Sequence, residues 1–133
     1  MRSAAIAVVA LVLFCSSASA QSGQPTPGLA DSPTITVLKG LTVPQFEAEM
    51  QLFVQALGVN CGFCHARGKF ASDEKPQKAT ARRMIEMVQG INKQYFPDHK
   101  PGPEDSALGR VTCFTCHQGS TAPKTTVGDF RHR

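Results

Sequence analysis

The sequence lacks the features of several large protein classes. Its 133 residues include no tryptophan and one tyrosine, and the formal net charge is only +4. No run of lysine and arginine interleaved with aromatic residues occurs, although such a run is typical of proteins that bind nucleic acids. Residues 4–14 form the longest apolar run, which is shorter than the roughly 20 residues that a transmembrane helix needs. The composition therefore argues against a nucleic-acid partner and against a transmembrane segment in the mature chain.

Residues 1–20 have the pattern of a secretory signal peptide. Arg2 supplies a positive charge, the apolar run follows, and Ala18-Ser19-Ala20 satisfies the small-residue rule for cleavage. Cleavage at this point would start the mature protein at Gln21 and place it in the periplasm. Lipoprotein anchoring at Cys15 is the alternative, but the bulky Phe14 directly before it fits a lipoprotein cleavage site poorly.

Cysteine is scarce as well. Without the leader, four cysteines remain, and all of them lie in two copies of the motif C-x-x-C-H. The first motif spans residues 61–65 and the second spans residues 113–117; their cysteines and histidines are Cys61, Cys64, His65, Cys113, Cys116 and His117. No cysteine is then left for a structural disulfide, on which small exported domains often depend.

The motif C-x-x-C-H is the attachment site of a c-type haem. Two intervening residues place both thiols on one side of a tight turn, where they can add across the two vinyl groups of one porphyrin. The next residue, His65 or His117, then supplies the proximal ligand of the iron. We therefore predict two covalently attached c-type haems, which would also form much of the core.

A helix is predicted before each motif. The first begins at Thr42, an N-cap residue followed by Pro44 and Gln45 in the first turn, and it ends at Gly58. The second runs from Pro76 to about Tyr95. Its apolar residues recur at helical spacing and predict one face made of Ala81, Met84, Val88, Ile91 and Tyr95, with Ile85 and Asn92 beside them.

The predicted fold is mainly α, a small multihaem cytochrome with the order helix, C-x-x-C-H, helix, C-x-x-C-H. Residues 41–123 would form this dihaem domain. Residues 21–40 include a stretch rich in glycine, proline, serine and glutamine and predict a flexible N-terminal arm. Residues 124–133 would form a C-terminal tail.

Each haem iron also needs a distal ligand, which histidine, methionine, cysteine or tyrosine can supply. The candidates outside the leader and the two motifs are Met50, Met84, Met87, Tyr95, His99 and His132. Met50 lies on the apolar face of the first helix, where a methionine can equally be a core residue. Periodicity favours Met84 over Met87 on the second helix. His99 lies in a charged loop rich in proline and His132 in a charged terminus, so both are expected to be solvated.

Several segments resemble the cytochrome c subunit of photosynthetic reaction centres. They are Leu57-Gly-Val-Asn-Cys61-Gly-Phe-Cys64-His65, Phe70-Ala-Ser-Asp73, Ala81-Arg-Arg-Met84-Ile-Glu-Met87, Ile91-Asn92 and Val111-Thr-Cys113-Phe-Thr-Cys116-His117. In that family a helix lies parallel to each haem, and its methionine is the distal ligand. The resemblance therefore implies that Met50 pairs with His65 and that Met84 pairs with His117.

The function that follows is electron transfer by a periplasmic dihaem cytochrome with His/Met-ligated haems. The family's subunit carries four haems, whereas this chain has attachment sites for two. A family histidine that serves a further haem lies near His99, whose role stays open. The expected partners are a redox donor and acceptor, one of them a membrane-bound reaction centre or a respiratory complex. A dihaem peroxidase is the enzymatic alternative, and it would need one iron with an open distal position.

Overall fold

The computed structural model describes residue 30, residues 32–102 and residues 105–127. The predicted signal peptide with Cys15, half of the N-terminal arm, and His132 in the tail lie outside these residues. The described part contains four helices: α1 (Val43–Leu57), α2 (Cys61–Cys64), α3 (Pro76–Tyr95) and α4 (Cys113–His117). It contains no strand, so the prediction of a mainly α fold is confirmed, with each C-x-x-C-H motif in a helical segment.

Helix α1 starts and stops where its end signals predict. The backbone N–H of Thr42 donates to Oε1 of Gln45 at 2.9 Å, which satisfies one of the unpaired donors at a helix start. At the other end Gly58 has φ 64°, a left-handed conformation that glycine adopts without steric cost. A Cβ at Gly58 would also collide with the carbonyl oxygen of Gly119. The chain therefore needs glycine at this position for two separate reasons.

The close approach of Gly58 to Gly119 joins the end of α1 to the end of α4. The N–H of Gly119 donates to the carbonyl oxygen of Ala56 at 2.9 Å, so a loop residue satisfies one of the last carbonyls of α1. Helix α1 packs along α4 as well. The first long helix is thereby fixed against the second motif.

A small core lies between α3, the segment before α1 and the loop before α4. Its buried members are Leu38, Ile85, Val88 and Leu108. The side chains packed around them at partial burial are Val37, Leu41, Phe46, Met50, Phe53, Val111 and Cys113. Large apolar side chains that stay exposed are Val43, Phe63, Phe70, Met87, Tyr95, Phe96, Phe114 and Val127. Because this core is small, these large apolar side chains remain exposed on the surface of the described residues.

The buried face of α3 differs from the predicted one. Ile85, Val88 and Asn92 are buried, whereas Tyr95 is 64% exposed. Asn92 can be buried because its amide is fully used: Nδ2 donates to the carbonyl oxygens of Leu108 and Val111 at 2.7 Å, and Oδ1 accepts from Val111 N–H at 2.8 Å. Periodicity placed Asn92 beside the apolar face, but it could not predict these hydrogen bonds, because their partners lie in a distant loop.

A second buried polar side chain holds the same loop from the other side. Glu49 of α1 is 2% exposed, and its carboxylate accepts from the hydroxyl of Ser106 at 2.7 Å and from Ala107 N–H at 2.8 Å. Burial of a carboxylate is costly unless hydrogen bonds replace its hydration. Glu49 and Asn92 together fix the loop that leads into the second motif against both long helices.

Candidate haem sites

The first motif is one helical turn followed by an extended residue. Asn60 precedes α2, and its carbonyl oxygen accepts from Phe63 N–H at 3.0 Å. The N–H of His65 donates to the carbonyl oxygen of Cys61 at 3.0 Å, after which the chain leaves the helix with φ −114° at His65. Both cysteines lie on this one short turn. Cys61 is exposed and Cys64 is half-buried.

The second motif keeps its histidine within the helix. Thr112 N–H donates to Oγ1 of Thr115 at 3.0 Å, which caps the start of α4. The helix runs on through His117, and the next residue, Gln118, has φ 47° and stops it. Here Cys113 is half-buried and Cys116 is exposed, the reverse of the order in the first motif.

The four described cysteines are all free thiols. Burial raises the pKa of the Cys64 thiol, although the Lys75 cation opposes this. Burial and the negative charge of Glu49 both raise the pKa of Cys113.

The two motif histidines share one hydrogen-bonding arrangement. Nδ1 of His65 lies 2.9 Å from the carbonyl oxygen of Phe70, and Nδ1 of His117 lies 2.8 Å from that of Ser120. A carbonyl oxygen can only accept, so Nδ1 carries the proton in both rings. This leaves Nε2 unprotonated and available to a metal, the arrangement that is usual for metal-ligating histidine. The donor sets of both motifs therefore fit a haem held by two thioethers and one imidazole.

A network of charges supports the loop after the first motif. Nζ of Lys78 donates to the carbonyl oxygens of Phe70 and Ser72 at 2.8 and 3.0 Å, and it lies 3.3 Å from Oδ1 of Asp73. Arg82 forms two hydrogen bonds to the Asp73 carboxylate, at 3.0 and 2.8 Å. Arg82, then Lys78, hold the pKa of Asp73 below its usual range. Sequence reasoning missed this network, since its only local signal was a basic residue in the first turn of α3.

The predicted distal ligands lie on the two long helices. Met50 of α1 and Met84 of α3 are both half-buried, and Met50 packs against the core that also contacts Cys113. Met87 is 49% exposed and Tyr95 is 64% exposed. His99 is half-buried in the loop after α3, where its backbone N–H donates to the carbonyl oxygen of Phe96 at 3.1 Å.

Comparison with known proteins places these motifs in a family. Residues 11–129 match the family described as "Photosynthetic reaction centre cytochrome C subunit". The chain belongs to this family. The resemblance inferred from the motif segments is thus confirmed, and membership of this cytochrome c family implies covalently bound haem.

Three relatives of the reaction centre cytochrome family show how far the similarity extends. Cytochrome c-554 of Chloroflexus aurantiacus is 38% identical over 95 residues, which are 71% of this chain and 22% of that protein. The photosynthetic reaction center cytochrome c subunit of Rubrivivax gelatinosus is 36% identical over 92 residues, 68% of this chain and 23% of the relative. That of Thermochromatium tepidum is 34% identical over 119 residues, 80% and 28% respectively. The chain therefore spans about a quarter of the length of these relatives. No solved structure matches it.

Proposed function

We propose that this member of the reaction centre cytochrome family is a periplasmic dihaem c-type cytochrome that carries electrons one at a time. One observation carries the proposal: each motif joins two free thiols on one turn to a histidine whose Nδ1–H is bound by a backbone carbonyl. This combination is what a c-type haem needs for covalent attachment and proximal ligation.

The residues that would hold each haem come from one motif. Cys61, Cys64 and His65 would hold the first haem, and Cys113, Cys116 and His117 would hold the second. Bound haem supplies a one-electron change between ferrous and ferric iron. The Phe70 and Ser120 carbonyls keep the two imidazoles in the tautomer and orientation that present Nε2 to the iron.

Met50 and Met84 are the proposed distal ligands of the first and second haem. Both are half-buried on long helices, and Met87, the rival on α3, is more exposed. Ligation by a methionine thioether would favour the ferrous form and raise the reduction potential. A haem held by both a histidine and a methionine would leave no open coordination position for a substrate, which would distinguish a carrier from a peroxidase.

The exposed apolar side chains near both motifs support the same proposal. Phe63 is 37% exposed within the first motif, Phe70 is 63% exposed in the loop after it, and Phe114 is 58% exposed within the second motif. Apolar surface left in water is unfavourable, at about 25 cal/mol per Å². A porphyrin plate beside these rings would remove part of that surface from solvent and complete the small core.

A photosynthetic reaction centre is the partner we propose. Two of the three relatives described above are named as reaction center cytochrome c subunits. In the described part of the chain, no helix has the length and hydropathy to cross a bilayer. From the names of these relatives, we propose that the protein docks on a membrane-bound complex from the periplasmic side. A respiratory complex would be the acceptor in a non-photosynthetic cell.

Haem stoichiometry tests the proposal directly. The chain is produced with a periplasmic cytochrome c maturation system, and its intact mass and pyridine haemochrome spectrum are measured. We expect two haems per chain. The double variant Cys61→Ser/Cys64→Ser and its counterpart Cys113→Ser/Cys116→Ser should each retain one haem. Any number of covalent haems per chain other than two would refute the proposal, and rapid carbon monoxide binding to the reduced protein would refute the closed His/Met carrier.

A further inference from the structure

Lys78 contacts the carbonyl that supports the first haem's histidine. We infer that Lys78 is a positioning residue that raises the reduction potential of the haem on Cys61 and Cys64, acting through the Phe70 carbonyl on His65. The inference rests on the proposed dihaem function. It adds a residue outside both motifs and outside the proposed axial ligands.

One carbonyl oxygen serves two donors in this arrangement. The Phe70 oxygen accepts from Nδ1–H of His65 at 2.9 Å and from Nζ of Lys78 at 2.8 Å. A carbonyl oxygen has two lone pairs, so both hydrogen bonds can exist together. The ammonium group thus lies one hydrogen-bond acceptor away from the imidazole that would bind iron.

The position of the Lys78 ammonium is closely fixed. Its three donors meet the carbonyl oxygens of Phe70 and Ser72 and the carboxylate of Asp73. The Lys78 side chain is 13% exposed, and Asp73 is in turn bound by Arg82. A partly buried charge is screened less than a surface charge, so part of its field remains at the neighbouring imidazole.

The direction of the effect follows from two contributions of the same sign. A cation on the Phe70 oxygen withdraws electron density, so the oxygen accepts more weakly from His65 and the imidazole donates less charge to the iron. The same cation repels the additional positive charge of ferric iron. Both contributions disfavour the oxidised state. One electron enters or leaves the iron in this couple, and Lys78 neither gains nor loses a proton or a bond.

Two features of the chain supply internal controls. Lys75 is also a cation beside the first motif, but its Nζ donates to the carbonyl oxygen of Gly62. A variant at Lys75 therefore reports the loss of a nearby charge without a change at the acceptor of His65. The acceptor of His117 is Ser120 O in its own turn, so the second haem reports any general effect on the protein.

The test measures both reduction potentials in the full dihaem chain by spectroelectrochemical titration. Lys78→Met should lower the ratio of reduced to oxidised first haem about tenfold at a fixed solution potential. For a one-electron couple, this corresponds to a reduction potential that is about 59 mV lower. Lys78→Arg should restore a value close to that of the parent. Lys75→Met should shift the first haem less than half as far, and the second haem should not move in any variant.

A second measurement detects the path through the carbonyl. In NMR spectra of the reduced protein, Lys78→Met should move the Nδ1–H resonance of His65 downfield, because the Phe70 oxygen then accepts more strongly from it. The His117 resonance should not move. The inference is overturned if Lys78→Met and Lys75→Met shift the first haem equally, if both haems shift together, or if the His65 resonance is unchanged. Lys78→Gln, which keeps a donor without charge, serves if the methionine variant does not fold.

A failure of this inference differs from a failure of the proposed function. If the chain carries two covalent haems and substitution of Lys78 leaves both reduction potentials unchanged, the inference fails but the proposed function stands. A chain without two haems would overturn the proposed function before any potential is measured.

Discussion

The two C-x-x-C-H motifs have the same chemistry but are supported in different ways. The loop that carries the acceptor of His65 is held by charged side chains of α3, with Lys78 bonded to Phe70 O. The acceptor of His117 is only three residues further along, in the turn that ends the motif. Buried neutral and acidic side chains, Asn92 and Glu49, hold the loop in front of that motif. The motif alone thus specifies attachment, whereas residues from the long helices give each site its electrostatic setting.

Replacing a proposed distal ligand should produce the largest difference between the two haem sites. Met50→His and Met84→His each exchange a thioether for an imidazole, which lowers the potential of one haem and not the other. Each variant should lose about half of the methionine–iron charge-transfer absorption, because one of the two proposed His/Met sites is gone. The control Met87→His, at an exposed position on the same helix as Met84, should leave the band intact. An undiminished band in either test variant would refute that assignment.

Removing the buried carboxylate of Glu49 should destabilise the loop that leads into the second motif. Glu49→Ala leaves the Ser106 hydroxyl and Ala107 N–H without their acceptor inside the protein. We expect the free energy of unfolding to fall by about 3 kcal/mol. Glu47→Ala, an exposed position on the same helix, should change it by less than about 0.5 kcal/mol. Equal losses in a denaturant titration would contradict the buried role of Glu49.

Disrupting the contact between Gly58 and Gly119, at the ends of α1 and α4, should cause the next largest loss of stability. Gly58→Ala adds left-handed strain and a collision with Gly119, so the expected loss in the free energy of unfolding is about 2 kcal/mol. Gly68→Ala is a matched control, since Gly68 has φ 73° but open space at the Cβ position, and about 1 kcal/mol should be lost there. Denaturation midpoints of the two variants measure the difference. Equal midpoints would mean that the contact between Gly58 and Gly119 contributes nothing to the free energy of unfolding.

The charge network of the first site should give the smallest effect on stability, and one that depends on pH. Arg82 and Lys78 lower the folded-state pKa of Asp73 from 3.8, so its contribution to stability is complete above that value and is lost as pH falls through the lower folded pKa. The parent should therefore have a slightly higher Tm than Asp73→Asn at neutral pH, and the difference should vanish in strong acid. It is small because Asp73 is 55% exposed. A difference that grows on acidification would have the wrong sign.

Local signals predicted the parts of the structure that depend on neighbours in sequence. The cap at Thr42 and the stop at Gly58 bound α1 as expected, because a helix end is decided within a few residues. The hydrogen bonds that Glu49 and Asn92 form in the interior could not be predicted, since their partners lie 57 to 58 and 16 to 19 residues away. The Lys78 contact with Phe70 O was beyond sequence reasoning for a related reason, because only the folded loop brings that carbonyl to α3.

The contact between Gly58 and Gly119 limits how far the two motifs can separate. Cys61 follows Gly58 by three residues, and His117 precedes Gly119 by two. With 3.8 Å between successive Cα atoms, the Cα atoms of Cys61 and His117 are at most roughly 25 Å apart. This limit is set by main chain touching main chain, so substitution of surrounding side chains does not lengthen it. The separation of the two attachment points is therefore bounded by the backbone itself.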